Sequence, residues 1–130
     1  MKRYIKEYHK ALREYRKANA LCSQCDSPHL PGLKMCEKHR EIMNERTRTR
    51  KKSIRDWYEN YKKSHPCVRC GFSDYRALQF HHTDPSQKEF TIGDAVLQGK
   101  SIRQLMTEID KCIVLCANCH RIEHYSDKFF

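Results

Sequence analysis

Tyr4, Tyr8, Ala11, Tyr15 and Ala18 recur at steps of four, three, four and three residues, with charged residues between them. That is the period of one helical face and predicts a helix over residues 3–19. Tyrosines at this spacing form a packing seam, which covers either the rest of the chain or a second copy in a homodimer. From about Glu37 to Ser64 there is no Pro or Gly, and the composition suits one long helix or two. Ile54, Trp57, Tyr58 and Tyr61 bring back helical spacing near its end, so that end docks on something. His65-Pro66 stops it. Beyond, Ala77 to His82 alternates apolar and polar and predicts a short strand, and Cys112 to Leu115 predicts a second. Ser101 is placed to cap a helix from Ile102 to about Ile109. A last helix starts near Asn118 and puts His120 and His124 one turn apart on one face. The fold class is small α+β, with the helices concentrated before the strands.

At 38% hydrophobic residues and a mean hydropathy of −0.91, the core is thin for 130 residues. Small chains with thin cores need staples. Eight cysteines are present, four of them in the pairs Cys67-x-x-Cys70 and Cys116-x-x-Cys119. The N-terminal stretch MKRYIKEYHKALREYRK has no apolar core of a signal peptide, and no run approaches a membrane span. Paired C-x-x-C spacings without export signals favour zinc over disulfides and a reducing cytoplasm. Cys67, Cys70, Cys116 and Cys119 are expected to form one structural zinc site, with Gly71 allowing the tight turn. Cys22, Cys25, Cys36 and His39 are expected to form a second knuckle. His39 is preferred to His29, which sits in a loop without a pairing partner. Cys112 is left over and reads as a small buried hydrophobe.

The charge of +10 is unevenly spread. Residues 1–66 carry 18 Lys/Arg against 8 Asp/Glu, and residues 67–130 carry 8 against 8, so the whole excess lies in the first half. Arg46, Arg48, Arg50, Lys51, Lys52 and Arg55 fall in a ten-residue run without an acidic residue. Such a run suits DNA phosphates, with double-stranded DNA as the expected partner. The chain therefore divides into a basic helical DNA-binding arm, residues 1–66, and a neutral metal-rich module, residues 67–130.

The histidines carry the chemistry. Adjacent residues on a strand project to opposite faces, so His81 and His82 can do different work. His81 with His120 and His124 makes three imidazole ligands with coordination positions left over, the arrangement of a catalytic ion. His82 is then free to act as general base. A zinc peptidase is disfavoured because it needs Glu directly after the first histidine of His-x-x-x-His, and Arg121 follows His120.

Cys67-x-x-Cys70, the segment LQFHHTDP over 78–85 and KCIVLCANCHRIEH over 111–124 resemble the HNH endonucleases, the ββα-metal nucleases common in phages and mobile elements. The resemblance covers residues 64–127. It implies a ββα-metal module in residues 67–130 and a metal-dependent phosphodiesterase acting on DNA. His82 matches the general base, His81 and His120 match metal ligands, and His124 matches the extra histidine ligand of colicin-type members. The four cysteines of the module match the structural zinc of many members. Two positions depart from the family. Lys111 stands where its central Asn is expected, with Asn118 the only Asn nearby, and His81 stands where many members have Asp. An all-imidazole site prefers Zn²⁺, Ni²⁺ or Mn²⁺ to Mg²⁺, which wants oxygen. The rival reading is a zinc-dependent nucleic-acid-binding module that does not cleave.

Overall fold

A computed structural model describes residues 2–129, with side chains for residues 4–125. Among the described residues, five helices and a two-stranded sheet follow in the order α1 (Lys2–Ala18), α2 (Glu37–Lys63), β1 (Leu78–His82), α3 (Ile92–Gln98), α4 (Ile102–Ile109), β2 (Cys112–Cys116) and α5 (Ala117–Phe129). Single 3₁₀ turns occupy Tyr75–Ala77 and Pro85–Gln87. The chain forms two compact units, Met1–Arg48 and Thr49–Phe130, which divide inside α2. The charge balance changes later, at residue 66. The second half of α2 belongs to the second unit because Ile54 lies in its core. Among the described residues, no helix is long and apolar enough to cross a membrane.

In the first unit α1 runs into a knuckle closed by a bridge between Leu21 and Pro28. Arg16 fastens the two together, its Nε 3.1 Å from the Asp26 carboxylate and its Nη1 donating to the Ser23 carbonyl. The half-buried side of α1 is therefore Leu12 and Arg16. Tyr4, Tyr8 and Tyr15 stay exposed, at 76, 57 and 57%. The expectation that the tyrosines cover the rest of the chain is not met within this unit. The salt-bridged face of α1 takes that place.

The second unit has two cores. In one, Ile54 packs with Ile92, Ala95 and Val96 of α3 and with Leu105 and Ile109 of α4, while Trp57, Tyr58 and Tyr61 close over it. This is the docking expected of the end of α2. The other core gathers Cys67, Leu78, Val114, Leu115 and Cys116 around the strands. β1 and β2 pair antiparallel, with Leu78 opposite Cys116 and His82 opposite Cys112. Two strands alone are marginal in water, so this hairpin depends on what is attached to it. Cys112 packs against the first core, and burial pushes its thiol up to about 11, so it is an inert filler.

The connection from β1 to β2 holds α3, which the hydrophobic pattern did not announce. Its seven residues end at Gly99, whose φ of 78° lies in the left-handed region. There Arg50 Nη1 donates to the Gly99 carbonyl at 2.9 Å. A Cβ on Gly99 would stand 3.2 Å from Lys51 Cγ. Gly99→Ala is expected to cost about 1–2 kcal/mol from backbone strain alone and to lower the thermal midpoint by several degrees. α4 begins, as expected, at Ser101, which forms a reciprocal capping box with Gln104.

Candidate metal centres

Three groups of side chains bring their ligand atoms within 4.8 Å of one another: Cys22, Cys25, Cys36 and His39; Cys67, Cys70, Cys116 and Cys119; and His81, His120 and His124. Every residue expected to bind metal falls in the group expected for it.

The first group sits where the knuckle meets the start of α2. Cys25 and Cys36 sulfurs are 3.8 Å apart, and His39 Nδ1 lies 3.3–3.5 Å from all three sulfurs. A tetrahedron with metal–sulfur bonds of about 2.3 Å has sulfur–sulfur edges of about 3.8 Å, so these four atoms could hold a structural ion such as zinc. His29 turns instead to the Leu30 carbonyl. In the second group Cys70 and Cys116 sulfurs are 3.7 Å apart, again a tetrahedral edge. Gly71, at φ 74°, lets its N–H return to the Cys67 carbonyl and close the turn. Burial pushes the Cys22 and Cys67 thiols up, but backbone N–H groups around each sulfur more than offset it and bring both to about 6. Both are prepared to be thiolates, the form that binds metal.

The third group joins β1 to α5. His120 and His124 lie one turn apart, with Nε2 atoms 3.2 Å from each other. His81, 9% exposed, stands across from both, with ring centroids at 5.1 and 4.9 Å. Imidazole ligands at about 2.1 Å from one ion would be about 3.4 Å apart, so the donor set fits a small divalent cation. Burial and then the charges of His124 and His81 lower the His120 pKa, favouring the neutral ring that a cation needs. α5 starts at the residue after β2 ends, so four ligands of two centres fall within the nine residues Cys116–His124.

His82 points elsewhere, as strand alternation requires. Its Nε2 lies 2.7 Å from Oε1 of Glu108, a carboxylate 1% exposed at the end of α4. The same oxygen accepts the backbone N–H groups of Glu89 and Phe90, and Oε2 accepts Lys111 Nζ at 2.9 Å. Burial pushes this carboxyl up, yet Lys111, the Glu89 N–H and His82 together hold it at about 2. Lys111 also reaches Glu89 and the Gln87 carbonyl, tying the loop after β1 to α4. Asn118 takes no part in this; it is exposed on α5. Reading the sequence missed Glu108, although a carboxylate on the Leu105–Glu108–Ile109 face of an amphipathic helix is a visible irregularity.

Two openings flank His120. A cleft of about 710 Å³ is bordered by Gln79, His120, Arg121 and His124, and a smaller one of about 240 Å³ by Gln79, His82, Lys88 and His120. His120 and His124 of the triad, and His82, therefore border open space.

The six basic residues of the run from Arg46 to Arg55 are not equivalent. Arg50 is committed to Gly99, and half-buried Lys51 covers that glycine. Arg48 pairs with Glu45 and Lys52 with Asp56, acids just outside the run. Arg46, Arg48, Lys52 and Arg55 are exposed. Compared with known proteins, the chain matches no family model, no curated protein and no solved structure.

Proposed function

We propose that the chain is a metal-dependent endonuclease of the HNH, ββα-metal type, hydrolysing phosphodiester bonds in double-stranded DNA. The observation that carries this reading is the convergence of His81, His120 and His124 on one point, with the next strand residue, His82, held separately by a buried carboxylate. A hairpin presenting His81 to the two histidines of a helix, with His82 on its other face, is the part of the resemblance with chemical content. His81, His120 and His124 would hold a divalent ion, which would supply positive charge to stabilise the developing negative charge.

The chain's own residues do the rest. His82 accepts a proton from water, whose oxygen bonds to phosphorus in line with the departing 3′ oxygen; the products carry 5′-phosphate and 3′-hydroxyl ends. Arg121 and Lys88, at the two openings beside His120, hold phosphates of the strand. Zinc in the two cysteine centres holds the framework. Exposed basic residues of α2 add affinity without reading sequence.

The test is supercoiled plasmid incubated with zinc-loaded protein and added Mn²⁺ or Ni²⁺, alongside His120→Ala. Wild type is expected to give nicked or linear plasmid and the variant none. Binding without cleavage in Mn²⁺, Ni²⁺, Zn²⁺ and Mg²⁺ alike would establish the rival, a nucleic-acid-binding module.

Affinity should also depend on salt. Each phosphate contact adds about −0.9 to the slope of log K against log salt. Replacing Arg46, Arg48, Lys52 and Arg55 together by Ala should therefore flatten that slope by roughly 3–4. Fluorescence anisotropy of a labelled duplex between low and moderate salt measures this. An unchanged slope removes α2 from the interface.

A further inference from the structure

The most enclosed charge among the described residues belongs to no metal cluster. Glu108 is 1% exposed and receives four donors: His82 Nε2, the N–H groups of Glu89 and Phe90, and Lys111 Nζ. The two backbone donors and Lys111 would satisfy it without help, yet the shortest of the four contacts, 2.7 Å, is to His82. We propose that Glu108 is the positioning residue of the hydrolytic site, holding His82 by its Nε2–H so that Nδ1 carries the lone pair that takes the proton from water. This inference rests on the nuclease reading above.

An ionised carboxylate only accepts hydrogen bonds, so the imidazole nitrogen facing it must carry hydrogen. In the neutral ring the other nitrogen is then the base. The side chain of His82 is 10% exposed and that of Glu108 1%, so neither swings freely. Lys111 takes the second carboxylate oxygen and shares its charge, which leaves His82 a hydrogen-bonded partner rather than the sole counter-ion. When water gives its proton to Nδ1, its oxygen bonds to phosphorus, the bond from phosphorus to the 3′ oxygen breaks, and that oxygen takes a proton from solvent to become the 3′-hydroxyl. The imidazolium so formed keeps Nε2–H on Glu108, which stabilises it. The proton leaves to solvent after the products do. Lys111 thus serves the base from the position where the resemblance calls for Asn.

The experiment compares zinc-loaded wild type, Glu108→Leu and Glu108→Gln in plasmid cleavage with Mn²⁺ and in ¹⁵N-resolved NMR of the His82 ring. Wild type should show hydrogen on Nε2, slow to exchange, and none on Nδ1. Glu108→Leu should lose that slow signal and about 10²-fold in kcat, with KM within about twofold. Glu108→Gln keeps an oxygen acceptor and should recover much of the lost kcat, which a purely structural role would not explain once both variants hold zinc equally. If Glu108→Leu fails to hold zinc, the wild-type ring and the Gln variant decide. Hydrogen on Nδ1 in an active wild type, or full kcat in Glu108→Leu, overturns the inference and leaves the nuclease standing. A wild type that cleaves nothing overturns the nuclease reading, and this one with it.

Discussion

Cys67→Ser is expected to abolish the cooperative unfolding transition of residues 49–130, while Cys22→Ser should leave that transition in place and disrupt only the first unit. The first expectation follows from where the sulfur sits. Cys67 is 2% exposed and packs with Leu78, Leu115 and Cys116, the apolar centre of the hairpin. A structural zinc contributes on the order of 10–16 kcal/mol of apparent binding energy to folding. Small domains have about 5–15 kcal/mol of net stability, so losing most of the former exhausts the latter. The second expectation follows because each unit has its own four-ligand cluster. Circular dichroism melts with zinc quantified per chain measure both. A Cys67→Ser protein that keeps its melting temperature within a few degrees and one zinc fewer would show that the hairpin stands without its staple.

His82→Ala is expected to lower kcat by about 10²–10⁴-fold, the worth of a positioned base, with zinc content and duplex affinity close to wild type. The substitution removes one donor from Glu108, whose oxygens keep two backbone N–H groups and Lys111. The stability cost therefore stays near that of one lost hydrogen bond to a charged group, about 1.5–3 kcal/mol. His120→Ala should lose the catalytic ion as well as the rate, which isothermal titration with Mn²⁺ separates from the His82 effect. Cleavage by His82→Ala at the wild-type rate would remove the base from the mechanism.

The three ligand clusters could be read from the chain because ligand spacing is local chemistry. Cys67-x-x-Cys70 and Cys116-x-x-Cys119 describe their own turns, and His120 and His124 need only one turn of helix to meet. The strand holding His81 and His82 was legible for the same reason, through its period of two. Glu108 was not, because its meaning depends on His82, 26 residues earlier. Nor was the fate of Arg50 and Lys51, which looked like phosphate ligands until a glycine 49 residues beyond Arg50 came under them. The tyrosines of α1 left two readings open because periodicity marks a face without saying what meets it. Leu12 and Arg16, on the flank beside them, make the contact.

β2 passes into α5 without a loop, between Cys116 and Ala117. Sulfur and nitrogen ligands are thus strung on one stiff length of backbone with no joint to absorb a mismatch. A displacement of the Cys116–Cys119 turn would therefore carry His120 and His124 with it.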